Sequence, residues 1–250
     1  MNTDTATIQT FEHDVVIIGA GGAGLRAAIE CSAQGLDTAV VCKSLLGKAH
    51  TVMAEGGAAA ALGHNDPRDN WKVHFRDTMR GGKFLNHWRM AELHALHSAD
   101  RIRELEEWGA VFDRNSDGYI NQRPFGGHRY SRLAHTGDRT GLEILRTLQD
   151  HGVHQGIHVH QECTALRLLK DTDRISGVFA YWRDSGRFIA FKAKAVVIGA
   201  GLGGLTSAAM MSQTGDYDVT VYERMSFAGG RFTQHNHDGF QIPTGAVSYT

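Results

Sequence analysis

The sequence predicts an α/β fold built on a parallel sheet and opened twice in one chain. Three observations carry this reading. A strand at 14–18, apolar from Val15 onward, ends in Gly19-x-Gly21-x-x-Gly24, helical and strand periodicities then alternate, and the same beginning recurs in "AVVIGAGLGG", Ala195 to Gly204. A strand buried on both faces of a parallel sheet is a near-continuous apolar run, and glycines directly after it mark a tight strand-to-helix turn.

A length of 250 residues, 42% of them hydrophobic, suffices for one large α/β domain or two modest ones. Thirty glycines against three prolines suit a fold of tight turns and close backbone approaches, without low-complexity patterning. With a net charge of −1 and no basic run interleaved with aromatics, nucleic acid is set aside as a partner. No segment approaches the roughly 18 apolar residues that span a bilayer, and "MNTDTATIQTFEHD" lacks the basic and apolar regions of a signal peptide, so a cytoplasmic chain is expected. Cys31, Cys42 and Cys163 are odd in number and form no C-x-x-C pair, which argues against a disulfide framework and against zinc or iron–sulfur ligation. Among 15 histidines, His158 and His160 share one face of a strand and His94 and His97 one face of a helix. Without a third ligand at metal spacing they read as solvated or hydrogen-bonded, and no metal site is assigned.

The elements follow in order. Residues 1–12 form a flexible tail, and 14–18 form the first strand. A helix from about Ala23 to Ala33 stops at Gly35, and a second strand runs from Thr38 to Cys42. Residues 44–66, rich in Gly, Ala, Ser and His, read as loop with a short helix lying over the carboxyl ends of those strands, where ligands bind in doubly wound folds. Met90, Leu93, Leu96, Ala99, Ile102 and Leu105 recur at helical spacing up to Gly109 and predict the longest amphipathic helix, its apolar stripe facing the core. The polar loop 114–138, dense in Arg, His and Gly, is longer than a mere connection needs. A helix from about Thr140 to Gln149 follows. Ile175–Trp182 and Arg187–Ala193, flanking "RDSG", predict a β-hairpin.

In the first fingerprint Gly19 permits the turn, Gly21 lets a pyrophosphate approach the backbone and Gly24 lets helix and strand pack closely, while the helix N-terminus supplies N–H groups to phosphate. The second strand ends in Cys42-Lys43-Ser44, without the acid that grips an adenosine ribose. That disfavours NAD and leaves a flavin dinucleotide open.

Several stretches in one order, "DVVIIGAGGAGLRAAIE", "KSLLGKAHTVMAEGGAAAALG", "DNWKVHFRDTMRGGKFLN", "QRPFGGH" and "DRTGLEILRTL", resemble the flavoprotein subunit of succinate dehydrogenase and fumarate reductase, of actinobacterial type, over residues 12–198. The resemblance implies a Rossmann-like FAD-binding domain with a β-meander or hairpin over 13–198. In the family, the histidine of an H-T-x-x-A-x-G-G motif bonds covalently to the 8α carbon of FAD, and His50 is the matching residue. Implied FAD contacts are Gly19, Ala20, Gly21, Gly22, Ala23 and Gly24, then Cys42, Lys43, Ser44, Lys48, His50, Thr51, Glu55, Gly56 and Gly57, and at the return strand Gly199 and Gly201. Phe125 matches a segment beside the substrate, with packing of a loop onto the core as the alternative role. The resemblance further implies a dicarboxylate substrate and hydride transfer to flavin N5. Its implied partners are a membrane anchor complex and an iron–sulfur subunit, which would place the chain peripherally on the inner face of the cell membrane. L-Aspartate oxidase, a non-catalytic FAD-binding module and an inert fused product stand as alternatives.

The resemblance stops before the capping domain. After "KAKAVVIGAG" no H-P-T-G motif follows, since "IPTG" has Ile242 where that histidine would stand, and no residue can be assigned to catalysis. Residues 196–250 instead predict a partial second βαβ unit, with helix Leu205–Thr214 and strand Asp218–Tyr222, in which Gly204 closes the turn and Glu223 supplies the ribose acid. This unit resembles the N-terminus of carotenoid desaturases and isomerases and other amine-oxidase-like flavoproteins. Two flavoprotein beginnings joined within "AVVIGAG" would explain the repeat, with the second unit poorly ordered or packed as an appendage.

Overall fold

A computed structural model describes residues 8–198 and two short strands at 234–237 and 240–243. Of these, 8–49 and 152–198 belong to one compact unit and 50–151 to the other.

The first unit is a six-stranded sheet in the order β6-β2-β1-β9-β8-β7. Its parallel half contains β1 (Gln9–Ile18), β2 (Thr38–Val41) and β6 (His158–His160), with α1 (Gly22–Ala33) crossing from β1 to β2. All four residues of β2 are buried, the apolar Ala39–Val41 and Thr38, whose hydroxyl donates to the Leu36 carbonyl at 3.0 Å. Gly35 follows α1 in the left-handed region, at φ +78°, and ends the helix where expected. The antiparallel half is a meander of β7 (Cys163–Asp171), β8 (Arg174–Trp182) and β9 (Arg187–Ile198). Val16, Ala39 and Val41 from the parallel strands and Val178, Ala180, Ile189 and Phe191 from the meander form one buried cluster. The expected hairpin is present, and β7 adds a third arm to it.

Strand β9 joins the two halves. Its residues 187–192 pair antiparallel with β8, and 189–198 pair parallel with β1. The "AVVI" run is therefore the return strand of the first sheet, with Ala195–Ile198 beside Val15–Ile18. Pairing also corrects the N-terminal tail. Gln9–His13 pair with Ile189–Ala193, so β1 starts at Gln9 rather than after residue 12.

The second unit holds α2 (Trp71–Gly81), α3 (Trp88–Glu107), α4 (Thr140–His154, whose last turn belongs to the first unit) and a three-stranded sheet in the order β3-β5-β4. These strands are β3 (Ala58–Ala59), β4 (Gln122–Arg123) and β5 (Leu133–Ala134), so the loop 114–138 is partly strand. Helix α3 is the longest, as predicted, but its stripe needs correction. Met90, Leu93 and Leu96 are exposed, and the buried face is Ala91, Ala95, Ser98, Ile102 and Leu105. Small residues permit close approach over the first three turns, and size rather than hydropathy decides which side turns inward. Helix α4 runs five residues past the expected Gln149, because no left-handed residue interrupts it before Gly156, at φ +80°.

Strands β10 (Gln234–His237) and β11 (Phe240–Pro243) form an antiparallel pair. The helix and strand expected at 205–222, and the site residues Gly199, Gly201, Gly204 and Glu223, lie outside the described residues.

Candidate functional site

In the first unit the glycine turn is built for close backbone contact. Gly19 has φ +109°, and a Cβ at Gly24 would collide with the Gly19 carbonyl oxygen. No other residue type closes this turn without moving backbone. The Gly19 N–H donates to the Val41 carbonyl at 2.8 Å, which ties the turn to the end of β2. Gly21 is the N-cap of α1, extended, with no side-chain cap and no acid in the first turn. The positive end of the helix lies at the point where Ala20 to Gly24 bend. A dinucleotide pyrophosphate fits such a turn, and a side chain at Gly24 would destroy it.

Cys42, Lys43 and Ser44 follow β2, as the sequence suggests. The buried Cys42 thiol donates to the Ser44 carbonyl at 3.1 Å, and Glu162 N–H donates to the same carbonyl at 3.2 Å. Burial pushes the thiols of Cys42 and Cys163 up to about 11 and about 12, so both stay protonated and inert at neutral pH. Lys43 and Lys48 are exposed.

In the second unit His50 and Thr51 open a single 3-10 turn, His50–Met53, and His50 is exposed. What holds this turn is not legible in the local sequence. Gly141 N–H, at the start of α4, donates to the Ala54 carbonyl at 2.6 Å, and a Cβ at Gly141 would collide with the Thr51 carbonyl oxygen. Thr140 Oγ1 and Arg123 Nη2 both donate to the Glu55 carbonyl, each at 3.3 Å. Gly57 has φ +125°, and a Cβ there would lie 2.8 Å from the Ala134 carbonyl oxygen. The "DRTG" stretch is therefore the seat of the His50 segment, and Thr140 and Gly141 are the residues that sequence reasoning missed.

Phe125 is 59% exposed, and its ring lies 5.8 Å from that of His128 in the same loop. Beneath the same loop lies a buried ionic network. Arg132 is fully buried and forms a fork onto Asp69, Nε to Oδ2 at 3.1 Å and Nη2 to Oδ1 at 2.8 Å, with Nη2 also 2.9 Å from Asp77 Oδ2. Asp77 Oδ2 further accepts the Arg129 N–H at 2.9 Å. The network thereby fixes the chain four residues beyond Phe125. Burial and the neighbouring Arg132 charge hold His74 down to about 3 and His128 below the usual histidine range, so both are neutral.

The site residues thus fall into two groups, each ordered within its own unit: Gly19 to Lys48 in the first, His50 to Gly57 with Phe125 in the second.

Comparison with known proteins bears on both groups. A family model described as an FAD binding domain matches residues 14–197, and one described as an NAD(P)-binding Rossmann-like domain matches 197–249. The chain is 41% identical over 194 residues to a fumarate reductase (CoM/CoB) subunit of Methanothermobacter marburgensis, covering 77% of this chain and 36% of that protein. It is 37% identical over 207 residues to the succinate dehydrogenase flavoprotein subunit of Rickettsia bellii, covering 80% and 35%. Among solved structures, the Mycobacterium smegmatis Sdh1 complex matches with a TM-score of 0.74 at 56% identity, over 78% of this chain and 35% of that one. The chain spans about a third of the length of the relatives it matches.

Proposed function

Because the chain belongs, through residues 14–197, to the family of FAD-binding domains, we propose that it is the FAD-holding part of an oxidoreductase of the succinate dehydrogenase and fumarate reductase class. The observation that carries the reading is the His50–Gly57 segment, an H-T-x-x-A-x-G-G sequence seated on Gly141 through its own carbonyls. In this reading the N–H groups around Gly21 to Gly24 bind the pyrophosphate, Lys43 and Ser44 stand where an acidic ribose contact is lacking, and His50 forms the covalent link. The exposed His50 imidazole has the nucleophilic nitrogen that such a bond needs. When bound, FAD supplies the hydride acceptor for interconversion of succinate and fumarate. Phe125, held out by the Asp77–Arg129 anchor, contacts a dicarboxylate on the substrate side. Electrons leave to an iron–sulfur protein on a membrane anchor, at the inner face of the membrane. No helix among the described residues is itself long and apolar enough to cross a bilayer.

Turnover by this chain alone is expected to be slight, since residues 199–250 carry no H-P-T-G motif. The two family matches meet at Val197. That supports reading "AVVIGAG" as the join of two flavoprotein beginnings, and re-sequencing genomic DNA across Ala195 tests it. The cofactor assignment is tested by titrating the purified chain with FAD and following quenching of flavin fluorescence. Saturable binding that Gly24→Ala abolishes is the expected result, and equal binding by that variant would overturn it.

A further inference from the structure

The first unit carries a second cluster of ligating side chains, at the opposite end of the sheet from the glycine turn. His13 lies in β1, Asp37 immediately precedes β2, and His158 opens β6. The parallel order β6-β2-β1, with Val15 beside Thr38 and Ala39 beside His158, brings the amino ends of β2 and β6 level with His13 in the middle of β1. His13 Nδ1 is 3.0 Å from Asp37 Oδ2, and His158 Nε2 is 3.2 Å from Asp37 Oδ1. One ligating atom from each residue lies within 4.8 Å of the others. Six residue steps along β1 lead from His13 to Gly19, about 20 Å at the usual rise, so the cluster stands apart from the dinucleotide turn.

We propose that His13, Asp37 and His158 form a binding site for a borderline divalent cation of the zinc class. Two imidazoles and one carboxylate are the ligand set such ions prefer, whereas magnesium and calcium take oxygen donors. Around zinc at about 2.0–2.1 Å, tetrahedral ligand atoms stand roughly 3.3 Å apart, so the longest edge of the triangle has to close by at most about 1.5 Å, shared between two side chains. Each imidazole would bind the cation through the lone pair of the ring nitrogen that faces Asp37, and water completes the shell on the open side, where His158 is exposed. Asp37 is preorganised: its N–H donates to Asp14 Oδ2 at 3.0 Å, and its carbonyl accepts from Asp14 N and Val15 N. His13 is nearly buried, and its Nε2 has no hydrogen-bond partner, so turning the ring to offer either nitrogen breaks no second bond. The His160 ring packs behind His13, with ring centroids 5.9 Å apart.

The test is calorimetric titration of the chelator-treated full chain with Zn2+ alone. The expected result is one equivalent bound, with affinity at least about tenfold lower in His158→Ala and in Asp37→Asn and unchanged in His97→Ala, an exposed histidine on α3. Circular dichroism checks that each variant folds, and His158 at the exposed rim keeps the test valid should Asp37→Asn not fold. Absence of zinc binding, or zinc bound equally by His158→Ala, would overturn the proposal and leave an ion-paired cluster.

Discussion

The two units of this chain hold themselves together by different means. The first unit rests on an apolar seam of Val16, Val41, Val178, Ile189 and Phe191 and presents backbone to its ligand. The second buries Arg132, Asp69, Asp77 and His74, and presents a side chain, His50. An apolar strand with a glycine turn is a local pattern, and one chain segment specifies it. A buried guanidinium is stable only when carboxylates from elsewhere surround it, and here they come from 55 and 63 residues away.

The largest effect expected from breaking this comparison is in the second unit. Arg132→Met leaves two carboxylates buried and uncompensated and should cost about 3–5 kcal/mol. Hydrogen exchange should then accelerate across residues 50–151 while β1 and β2 stay protected. Uniform acceleration of both units would show that they do not differ in this way. Next in size, Gly141→Ala drives a methyl into the Thr51 carbonyl and should destabilise the second unit by up to about 3 kcal/mol, read by urea denaturation.

Acid should act through the neutral buried histidines. The folded-state pKa of His74 is depressed to about 3, so its contribution is fully present above the unfolded value near 6.5 and is lost as pH falls through that value toward 3. Between pH 6.5 and 5 the loss from His74 is about 2 kcal/mol. His160 in the first unit acts in the same direction, and denaturation midpoints at the two pH values measure the sum. A rise in stability on acidification would contradict the assignment. The smallest effect belongs to Leu96→Lys on the outer face of α3, expected to shift stability by less than about 0.5 kcal/mol. A cost near 2 kcal/mol would restore the stripe that periodicity suggests.

How far the sequence can be read follows the same division. Val15 to Ile18, Thr38 to Val41 and the glycines between them are legible because parallel strands and their turns are written in contiguous residues. Periodicity misjudges the stripe on α3 because Ala91, Ala95 and Ser98 scarcely register as apolar beside Met90 and Leu96, yet they are what fits inside. Arg132 looks like one more polar loop residue. Its burial depends on Asp69 and Asp77, which no local pattern links to it. His50 is legible only through its motif, and the glycine that seats it, Gly141, looks like the first turn of a helix. The cluster of His13, Asp37 and His158 escapes spacing rules because its ligands come from three separate places in the chain, on or beside three different strands.

The most direct test of the flavoprotein account is to purify the chain, precipitate it with acid and ask where the yellow flavin goes. Flavin that stays with the precipitate, and leaves it in His50→Ala, is the predicted result. A colourless precipitate from the unaltered chain supplied with FAD would contradict covalent attachment at His50, and the absence of flavin from both fractions would contradict FAD binding itself.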